Sequence, residues 1–251
     1  MLYYIKTQWG DCMSKTVLIT GASRGIGNAC AREFAKAGYK VAIDYNKSED
    51  MAKALVSELQ AQGCDADCFK ADISDASQVK ALVDWAQQRF GTIDILINNA
   101  GISVAGLLTD LSNEQWDELR GVCLDGSIYC SRAVLPQMIR NHSGCIINIS
   151  SVWGVKGASF EVAYSAVKAG IIGLTLGLSK EVAPSGIRVN CIAPGVIDTD
   201  MSRCYDLKAL ADETPLGRVG QPEEIAKAAL FLAEAEFITG QVLGVDGGFG
   251  M

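Results

Sequence analysis

The 251-residue sequence is poor in the side chains that metal sites and disulfide frameworks require. It contains one histidine, His142, and its nine cysteines form no Cys-x-x-Cys pair. An odd number of scattered cysteines beside a single imidazole argues against a zinc site and against a disulfide framework. Several cysteines lie inside apolar runs, as in Cys145-Ile-Ile, where they are typical of small core residues. We therefore expect no metal and a reducing, cytoplasmic setting.

Basic charge is also scarce, because 22 Lys and Arg face 29 Asp and Glu, for a net charge of -7. This balance disfavours nonspecific binding to nucleic acid or to anionic membranes, so we expect neither as a partner. No apolar run approaches the roughly 20 residues of a membrane span. Residues 1–12 lack the continuous apolar stretch of a signal peptide, and we expect them to be a poorly ordered extension, native or due to an upstream start codon. A single domain is expected over residues 13–251.

From residue 16 onward, short apolar runs alternate with longer segments of helical period. The predicted strands span residues 16–20, 41–43, 66–70, 93–97, 145–149, 187–192 and 241–245. The predicted helices span residues 25–38, 49–62, 76–90, 113–140, 161–183 and 222–233. Apolar strands that alternate with helices predict an α/β fold, in which a doubly wound parallel sheet of about seven strands is covered on both faces. The irregular segment 198–220 follows a strand, where a mobile lid over a ligand would lie.

Two local patterns suggest chemistry. Gly21, Gly25 and Gly27 join the first strand to the first helix, where they allow a tight turn and close approach to a pyrophosphate; a tight turn without a ligand is the structural alternative. Tyr164 and Lys168 are four residues apart, so they share one face of a helix. A neighbouring ammonium favours the phenolate, and we expect it to lower the tyrosine pKa and to make Tyr164 a proton donor or acceptor.

Together, the glycine spacing and the Tyr-x3-Lys pair resemble the short-chain dehydrogenase/reductase family. Further motifs occur in the family's order from about residue 16 to the C-terminus. They are Asn98-Asn99-Ala100-Gly101 after strand four, Ser151 after strand five, Pro194-Gly195-Val-Ile197-Asp-Thr199 after strand six, and the ending at residues 240–248. The resemblance implies a single-domain Rossmann-type fold, a nicotinamide cofactor and a homotetramer. Turn, cap and strand-end roles are the alternatives for the single residues.

The resemblance also implies a role for each residue. Along the dinucleotide, the implied contacts are Gly21, Ser23, Arg24, Gly25, Ile26 and Gly27 at the diphosphate and ribose, Asp72 and Ile73 at the adenine, Asn99, Ala100 and Gly101 along the ribose, and Pro194, Gly195, Ile197 and Thr199 at the nicotinamide. Lys168 would hold the nicotinamide ribose and tune Tyr164. Ser151 would bind the substrate carbonyl oxygen, which Tyr164 would protonate during reduction.

The chain departs from the family at the fourth catalytic position. Alignment on Ser151 and Tyr164 places Cys123 where the family has an asparagine that helps to hold a water linked to the lysine. A thiol is a weak hydrogen-bonding group, but the main-chain carbonyl is retained. We expect an active enzyme with a weakened proton relay; the alternative is that Cys123 only packs the core.

The cofactor preference depends on the end of the second strand, Ile43-Asp44-Tyr45-Asn46-Lys47. NAD-dependent members usually place an acidic residue there for the ribose 2′-hydroxyl, and the alignment gives Asn46 that position. Arg24 and Lys47 would then face a 2′-phosphate, which favours NADP over NAD. Asp44 shares a strand face with Asn46, which keeps NAD open.

The substrate is the least determined feature. The whole chain is most similar to bacterial 3-oxoacyl-acyl-carrier-protein reductases, for which acyl carrier protein would be a partner. The family's basic docking pair aligns with His142 and Ser185, and Arg140 and Arg188 lie close by in the sequence.

A narrower resemblance, over residues 148–164, is to reductases of 5-aminopentanone-modified elongation factor P. Trp153 and Glu161 could then contact an amine by cation–π and charge interactions. The alternatives are that Trp153 packs a pocket wall and that Glu161 caps a helix. Some relatives bind cofactor without turnover, but these usually lack the Tyr or the Lys.

Overall fold

The computed structural model describes residues 14–203 and 205–250. The predicted extension, residues 1–12, lies outside the described residues. Within them, seven strands form one parallel sheet in the order β3-β2-β1-β4-β5-β6-β7. The strands are β1 Thr16–Ile19, β2 Lys40–Tyr45, β3 Ala66–Lys70, β4 Ile95–Asn98, β5 Gly144–Ile149, β6 Ile187–Pro194 and β7 Val242–Val245. The predicted doubly wound α/β fold is confirmed.

Helices cover both faces of this sheet. They are α1 Gly25–Lys36, α2 Glu49–Ala61, α3 Ala76–Phe90, α4 Asn113–Arg120, α5 Gly126–Asn141, α6 Val152–Lys156, α7 Val162–Val182, α8 Leu207–Glu213 and α9 Pro222–Glu234. The helix predicted over 113–140 is divided by a π-helical turn, Gly121–Asp125. The short helices α6 and α8 were not predicted, because each is too brief to show a helical period.

The sheet divides the hydrophobic core into two layers. Val17 and Ile19 of β1 face the layer that α1, α2 and α9 cover, whereas Leu18 faces the layer that α3 and α5 cover. Successive side chains of a strand point to opposite faces, so a strand covered on both sides is apolar at most positions. This is why strands such as β1 and β4 are nearly continuous apolar runs in the sequence.

The strand order fixes the position of the ligand site. β1 pairs with β2 on one side and with β4 on the other, so the chain winds away from β1 in both directions. At such a switch point the loops after the two neighbouring strands lead to opposite faces of the sheet and leave a crevice beyond the carboxyl ends of the strands. Because β1 and β4 are neighbours, the glycine turn after β1 and the Asn98-Asn99 motif at the end of β4 border the same crevice.

Helix α7 is more apolar than expected from the sequence, where no apolar run was expected to approach a membrane span. Residues Val162–Ser185 are long and apolar enough to cross a membrane by length and composition, with a mean hydropathy of 1.4. In the structure, however, α7 packs against β5, β6 and α6 and buries Tyr164 and Lys168. Packing on the sheet accounts for the apolar residues on the buried face of α7, a face that makes up 33% of the apolar window.

Candidate active site

The turn after β1 requires glycine, because it packs closely against the loop after β4. Gly21 and Gly25 have φ values of 62° and 56°, in the left-handed region that favours glycine. A Cβ atom on Gly21 would lie 2.8 Å from the Ala100 Cα atom, and one on Gly27 would lie 2.5 Å from Asn99 Nδ2. Arg24 precedes α1 without a side-chain cap, so the first N–H groups of the helix remain available to an anion.

Asn99 ties the loop after β4 to this turn. Its Nδ2 donates to the carbonyl oxygens of Thr20 (2.9 Å) and Gly21 (3.1 Å). In return, the main-chain N–H groups of Asn99 and Ala100 both donate to Thr20 Oγ1 at 3.0 Å. The amide of Asn99 thus holds two loops in register at the edge of the cavity.

Ser151, Tyr164 and Lys168 meet where β5 and α7 approach each other. Lys168 Nζ lies 5.6 Å from the centroid of the Tyr164 ring and donates to the Ile149 carbonyl oxygen at 2.9 Å. Ser151 begins α6, where its Oγ accepts from the Trp153 N–H at 3.2 Å, and the same side chain interacts with the Tyr164 phenol. The three residues that the resemblance implies for catalysis are therefore brought together.

The protonation of this group differs from the sequence-based expectation. Burial raises the pKa of Tyr164 above its usual value, and the nearby Lys168 only partly opposes this rise. For Lys168, burial acts to lower the pKa, whereas Tyr164 and the neighbouring cysteines raise it when they are ionised, and the net direction is upward. The raised pKa of Tyr164 keeps it a protonated phenol at neutral pH, which suits a proton donor.

Cys123 lies in the π-helical turn and is buried. Its thiol donates to the Ile102 carbonyl oxygen at 3.4 Å and accepts from the Ile102 N–H at 3.5 Å. Cys123 Sγ and Lys168 Nζ each lie 3.6 Å from the point where a Gly101 Cβ would be. The Cys123 carbonyl oxygen accepts from Ser127 Oγ at 2.9 Å. The thiol thus anchors the loop after β4 rather than reaching the cavity.

A cavity of about 790 Å³ runs from the glycine turn to Ser151, Tyr164 and Lys168. Most of the predicted site residues line it: Gly21, Ser23, Arg24, Gly25, Ile26, Asn46, Lys47, Asp72, Asn99, Ala100, Gly101, Ser151, Trp153, Glu161, Tyr164, Lys168, Pro194, Gly195, Ile197 and Thr199. Three predicted residues do not. Gly27 packs against Asn99, Ile73 is buried against Gly126, and Cys123 is buried beside Ile102.

The structure separates Asp44 from Asn46. The buried Asp44 carboxylate accepts from the Gly21 N–H at 3.1 Å and so lies behind the glycine turn. Asn46 and Lys47 lie on the cavity wall. Although Asp44 and Asn46 are both even-numbered residues near the end of one strand, β2 ends at Tyr45 and the chain turns there.

The segment after β6 supplies cavity residues that sequence analysis missed. They are Asp200, Met201, Ser202, Tyr205 and Leu210, all within the predicted lid. Tyr205 Oη donates to Glu161 Oε1 at 2.7 Å, and Asp200 lies 3.8 Å from the Arg24 guanidinium. Asp206 caps α8 by accepting from the N–H groups of Lys208 and Ala209, a signal that could have located this helix.

Of the two structural alternatives expected for Trp153 and Glu161, the structure bears out the first but not the second. Trp153 does pack the pocket wall, with its ring 5.3 Å from that of Phe249 in an edge-to-face contact. Glu161 precedes α7 but does not cap it, because its carboxylate accepts from Tyr205 instead. Both side chains therefore border the cavity close to Tyr164.

Comparison with known proteins establishes the class. A family model described as Enoyl-(Acyl carrier protein) reductase matches residues 21–250. A 3-oxoacyl-acyl-carrier-protein reductase of Staphylococcus aureus is 43% identical over 244 residues, which cover 95% of this chain and 99% of that protein. The chain belongs to the short-chain dehydrogenase/reductase family and is an oxidoreductase.

Solved structures agree with this assignment. A 3-ketoacyl-(acyl-carrier-protein) reductase from Brucella melitensis, complexed with NADH, has a TM-score of 0.90 and 34% identity, over 94% of this chain and 98% of that one. A blue fluorescent protein from a metagenomic library, in complex with NADPH, has a TM-score of 0.89 with the same identity and coverage. These two neighbours carry different nicotinamide cofactors.

Proposed function

We propose that the chain reduces a ketone to a secondary alcohol with NADPH, in the manner of a 3-oxoacyl-acyl-carrier-protein reductase. The observation that carries this proposal is that Ser151, Tyr164 and Lys168 line the same cavity as the glycine turn. The identity to curated 3-oxoacyl-acyl-carrier-protein reductases over nearly the whole chain supports the substrate class.

The residues at the cavity wall fit a dinucleotide. The uncapped start of α1 offers backbone N–H groups to a diphosphate, the close packing at Gly21 keeps the turn against the loop after β4, and Ile197 and Thr199 would hold the nicotinamide. When bound, this cofactor supplies the hydride that reduces the carbonyl carbon. Met201 and Leu210 of the lid add apolar walls, which help to exclude water from the site.

Tyr164 donates its proton to the carbonyl oxygen as negative charge develops there. Ser151 donates a second hydrogen bond to the same oxygen, so both groups stabilise the transition state more than the ground state. After the transfer, the Lys168 ammonium stabilises the phenolate left on Tyr164. Lys168 is itself held in place by the Ile149 carbonyl oxygen.

We infer NADP rather than NAD from the charges around the adenosine ribose. Arg24 and Lys47 line the cavity and suit a 2′-phosphate, and Asn46 leaves that position without a carboxylate. Asp44 points behind the glycine turn and is not placed to bind a ribose hydroxyl. The ratio of kcat/KM for NADPH and NADH tests this inference, and a strong NADH preference would contradict it.

Acyl carrier protein is the partner that the main proposal implies, but the basic docking positions are few. Arg188 donates to the carbonyl oxygens of Leu232 and Ala233, at 2.6 Å each, so its guanidinium is engaged at the end of α9. Of the basic positions named from the sequence, Arg140 and His142 remain, at the end of α5. We therefore expect weak, salt-sensitive binding of the carrier protein.

Reduction of 5-aminopentanone-modified elongation factor P is the second candidate, and one feature of the cavity favours it. Glu118 and Glu161 both line the wall, and Trp153 adds an aromatic face. An ammonium near these groups would gain charge pairing and a cation–π contact. A phosphopantetheine arm, which is anionic, gains nothing from the same carboxylates.

A substrate panel separates the candidates. Oxidation of NADPH is measured with acetoacetyl thioester, with 5-aminopentan-2-one and with pentan-2-one as the uncharged control. Robust thioester reduction supports the first candidate, whereas inactivity with thioester and preference for the amine over its control supports the second. Tight NADPH binding without turnover on any ketone would instead favour a noncatalytic regulator.

We also propose a homotetramer in the cytoplasm. Two covering helices carry apolar side chains that stay exposed in the single chain, Ile128 and Ile139 on α5 and Val162 and Leu176 on α7. Contact between copies would bury them. Seven cysteines of the described residues are free thiols, which fits a reducing compartment. Light scattering measures the mass in solution.

A further inference from the structure

Asp44 is an acid buried directly behind the glycine turn. Its side chain accepts from the Gly21 N–H through Oδ2 at 3.1 Å, and its main-chain oxygen accepts from the Ala22 N–H at 2.9 Å. Two consecutive N–H groups of the turn are thus held by one residue. Asp44 is only 2% exposed, and among the described residues its Oδ1 has no hydrogen-bond partner.

No basic group compensates this carboxyl, as far as the described residues go. Asp72, at the end of β3, acts on it with like charge, and on α5 the neighbouring titratable group is Cys130, whose thiol pKa is raised by burial. Helix α3 presents Val79 and Leu82 to the same layer, while its Lys80 and Asp84 pair on the surface. Burial raises the pKa of Asp44 to about 7, against the opposing effect of the main-chain N–H groups of Gly21 and Ala71.

We propose that Asp44 is a positioning residue of the dinucleotide site, which holds the Gly21 turn in both protonation states and weakens the binding of an anionic cofactor when it is ionised. The neutral acid still accepts from the Gly21 N–H through its carbonyl oxygen. The carboxylate adds a buried negative charge behind the backbone that faces the diphosphate, where the low dielectric makes like charges costly. This inference rests on the proposed dinucleotide binding.

The proposal has a thermodynamic consequence. If ionised Asp44 opposes cofactor binding, then bound cofactor must raise the proton affinity of Asp44 by the same factor. Binding near neutral pH is then accompanied by proton uptake, and affinity falls as pH rises through 7. The histidine does not interfere, because His142 lies between α5 and the amino end of β5 and is not among the residues that line the cavity.

The test is the dissociation constant of NADPH at pH 6 and pH 8, in wild type, Asp44→Asn and Asp44→Ala. The asparagine keeps an acceptor for Gly21 but cannot ionise, whereas alanine leaves the Gly21 N–H unpaired. The 2′-phosphate of NADPH itself titrates near pH 6, so the readout is the ratio of wild-type to Asp44→Asn affinity. Asp84→Asn, on the exposed face of α3, is the matched control for loss of a carboxylate.

We expect Asp44→Asn to bind like wild type at pH 6 and about fivefold or more tightly than wild type at pH 8. Asp44→Ala should bind more weakly than Asp44→Asn at both pH values, and Asp84→Asn should follow wild type. Thermal unfolding confirms that each variant is folded. Calorimetry in two buffers of different ionisation enthalpy should show proton uptake in wild type that Asp44→Asn lacks.

Two results would overturn the proposal in distinguishable ways. A ratio of wild-type to Asp44→Asn affinity that does not change between pH 6 and pH 8 removes the role of ionisation, while the proposed cofactor site stands. Absence of NADPH binding by folded wild type at both pH values overturns the cofactor site and the inference together.

Discussion

The two ends of the cavity differ in whether main-chain or side-chain groups form them. The dinucleotide end consists largely of backbone, with Gly21 packed against Ala100 and the start of α1 left uncapped. The substrate end consists of side chains from distant segments, as in the hydrogen bond between Glu161 and Tyr205. A site made of backbone depends on local conformation, so it can be recognised in the sequence from the spacing of a few residues. A site made of side chains depends on which segments meet. This difference predicts which substitutions change the binding of the cofactor and which change the binding of the substrate.

The largest effect is expected where the two ends join. Tyr164→Phe removes the phenol that we propose as the proton donor to the carbonyl oxygen, so kcat should fall by about 10³-fold. The NADPH dissociation constant should stay within about twofold of wild type, because the ring and Lys168 are kept. Steady-state kinetics and fluorescence titration measure the two quantities. A variant with more than a tenth of wild-type turnover would show that another group supplies the proton.

The backbone character of the dinucleotide end is tested by Gly21→Ala beside Gly63→Ala. Both positions have positive φ, but only a Cβ at Gly21 meets another residue, Ala100 at 2.8 Å, whereas nothing lies within 4 Å of one at Gly63. Gly21→Ala should weaken NADPH binding by about 2 kcal/mol or more, which is roughly 30-fold. Gly63→Ala should cost about 1 kcal/mol of stability and leave binding unchanged. Equal effects on binding would refute the close-approach explanation.

Substitutions of Cys123 test whether its side chain or its main chain contributes to the proposed proton relay at Lys168. Because its thiol ties the loop after β4 to Ile102, Cys123→Asn offers stronger hydrogen bonds at the same place. We expect turnover equal to wild type or up to about fivefold higher. Cys123→Ala should lower thermal stability through the lost contacts. A large loss of turnover in Cys123→Asn would contradict the weakened relay.

The smallest effect is expected at the substrate end. Tyr205→Phe removes one hydrogen bond to Glu161 and keeps the ring, so KM for the ketone should rise about threefold with kcat unchanged. Glu161→Gln should lower the preference for an amino ketone over its uncharged control if the amine candidate holds. Tyr39→Phe, which packs on Phe34 away from the cavity, is the control. A change in NADPH affinity without a change in KM for the ketone would contradict the assignment of Tyr205 and Glu161 to the substrate end of the cavity.

The fold was largely predictable because its pattern is repeated. Strands and helices alternate regularly from β1 to β7, and β3 and α3 begin and end where the sequence predicted. The π-helical turn at Gly121–Asp125 was not predictable, because it shifts the apolar pattern of 113–140 by a single position and has no local sequence signal of its own. The lid was recognised as irregular, but its contacts with Arg24 and Glu161 have no local signature.

The pKa of Tyr164 likewise could not be predicted from local sequence spacing. The spacing to Lys168 predicts an attractive charge, and the charge is there, but burial acts in the opposite direction and prevails. Spacing reveals a neighbour on the same helix, whereas desolvation depends on everything packed around the group.

The sequence by itself determined the α/β class, the glycine turn and the Tyr164–Lys168 pair, since each follows from steric rules or spacing within a few residues. Only the tertiary structure decided that Asp44 lies behind the turn, that Cys123 binds Ile102 and that Tyr205 reaches Glu161. These contacts join segments far apart in the chain, and their energies depend on burial and distance, which no local pattern encodes.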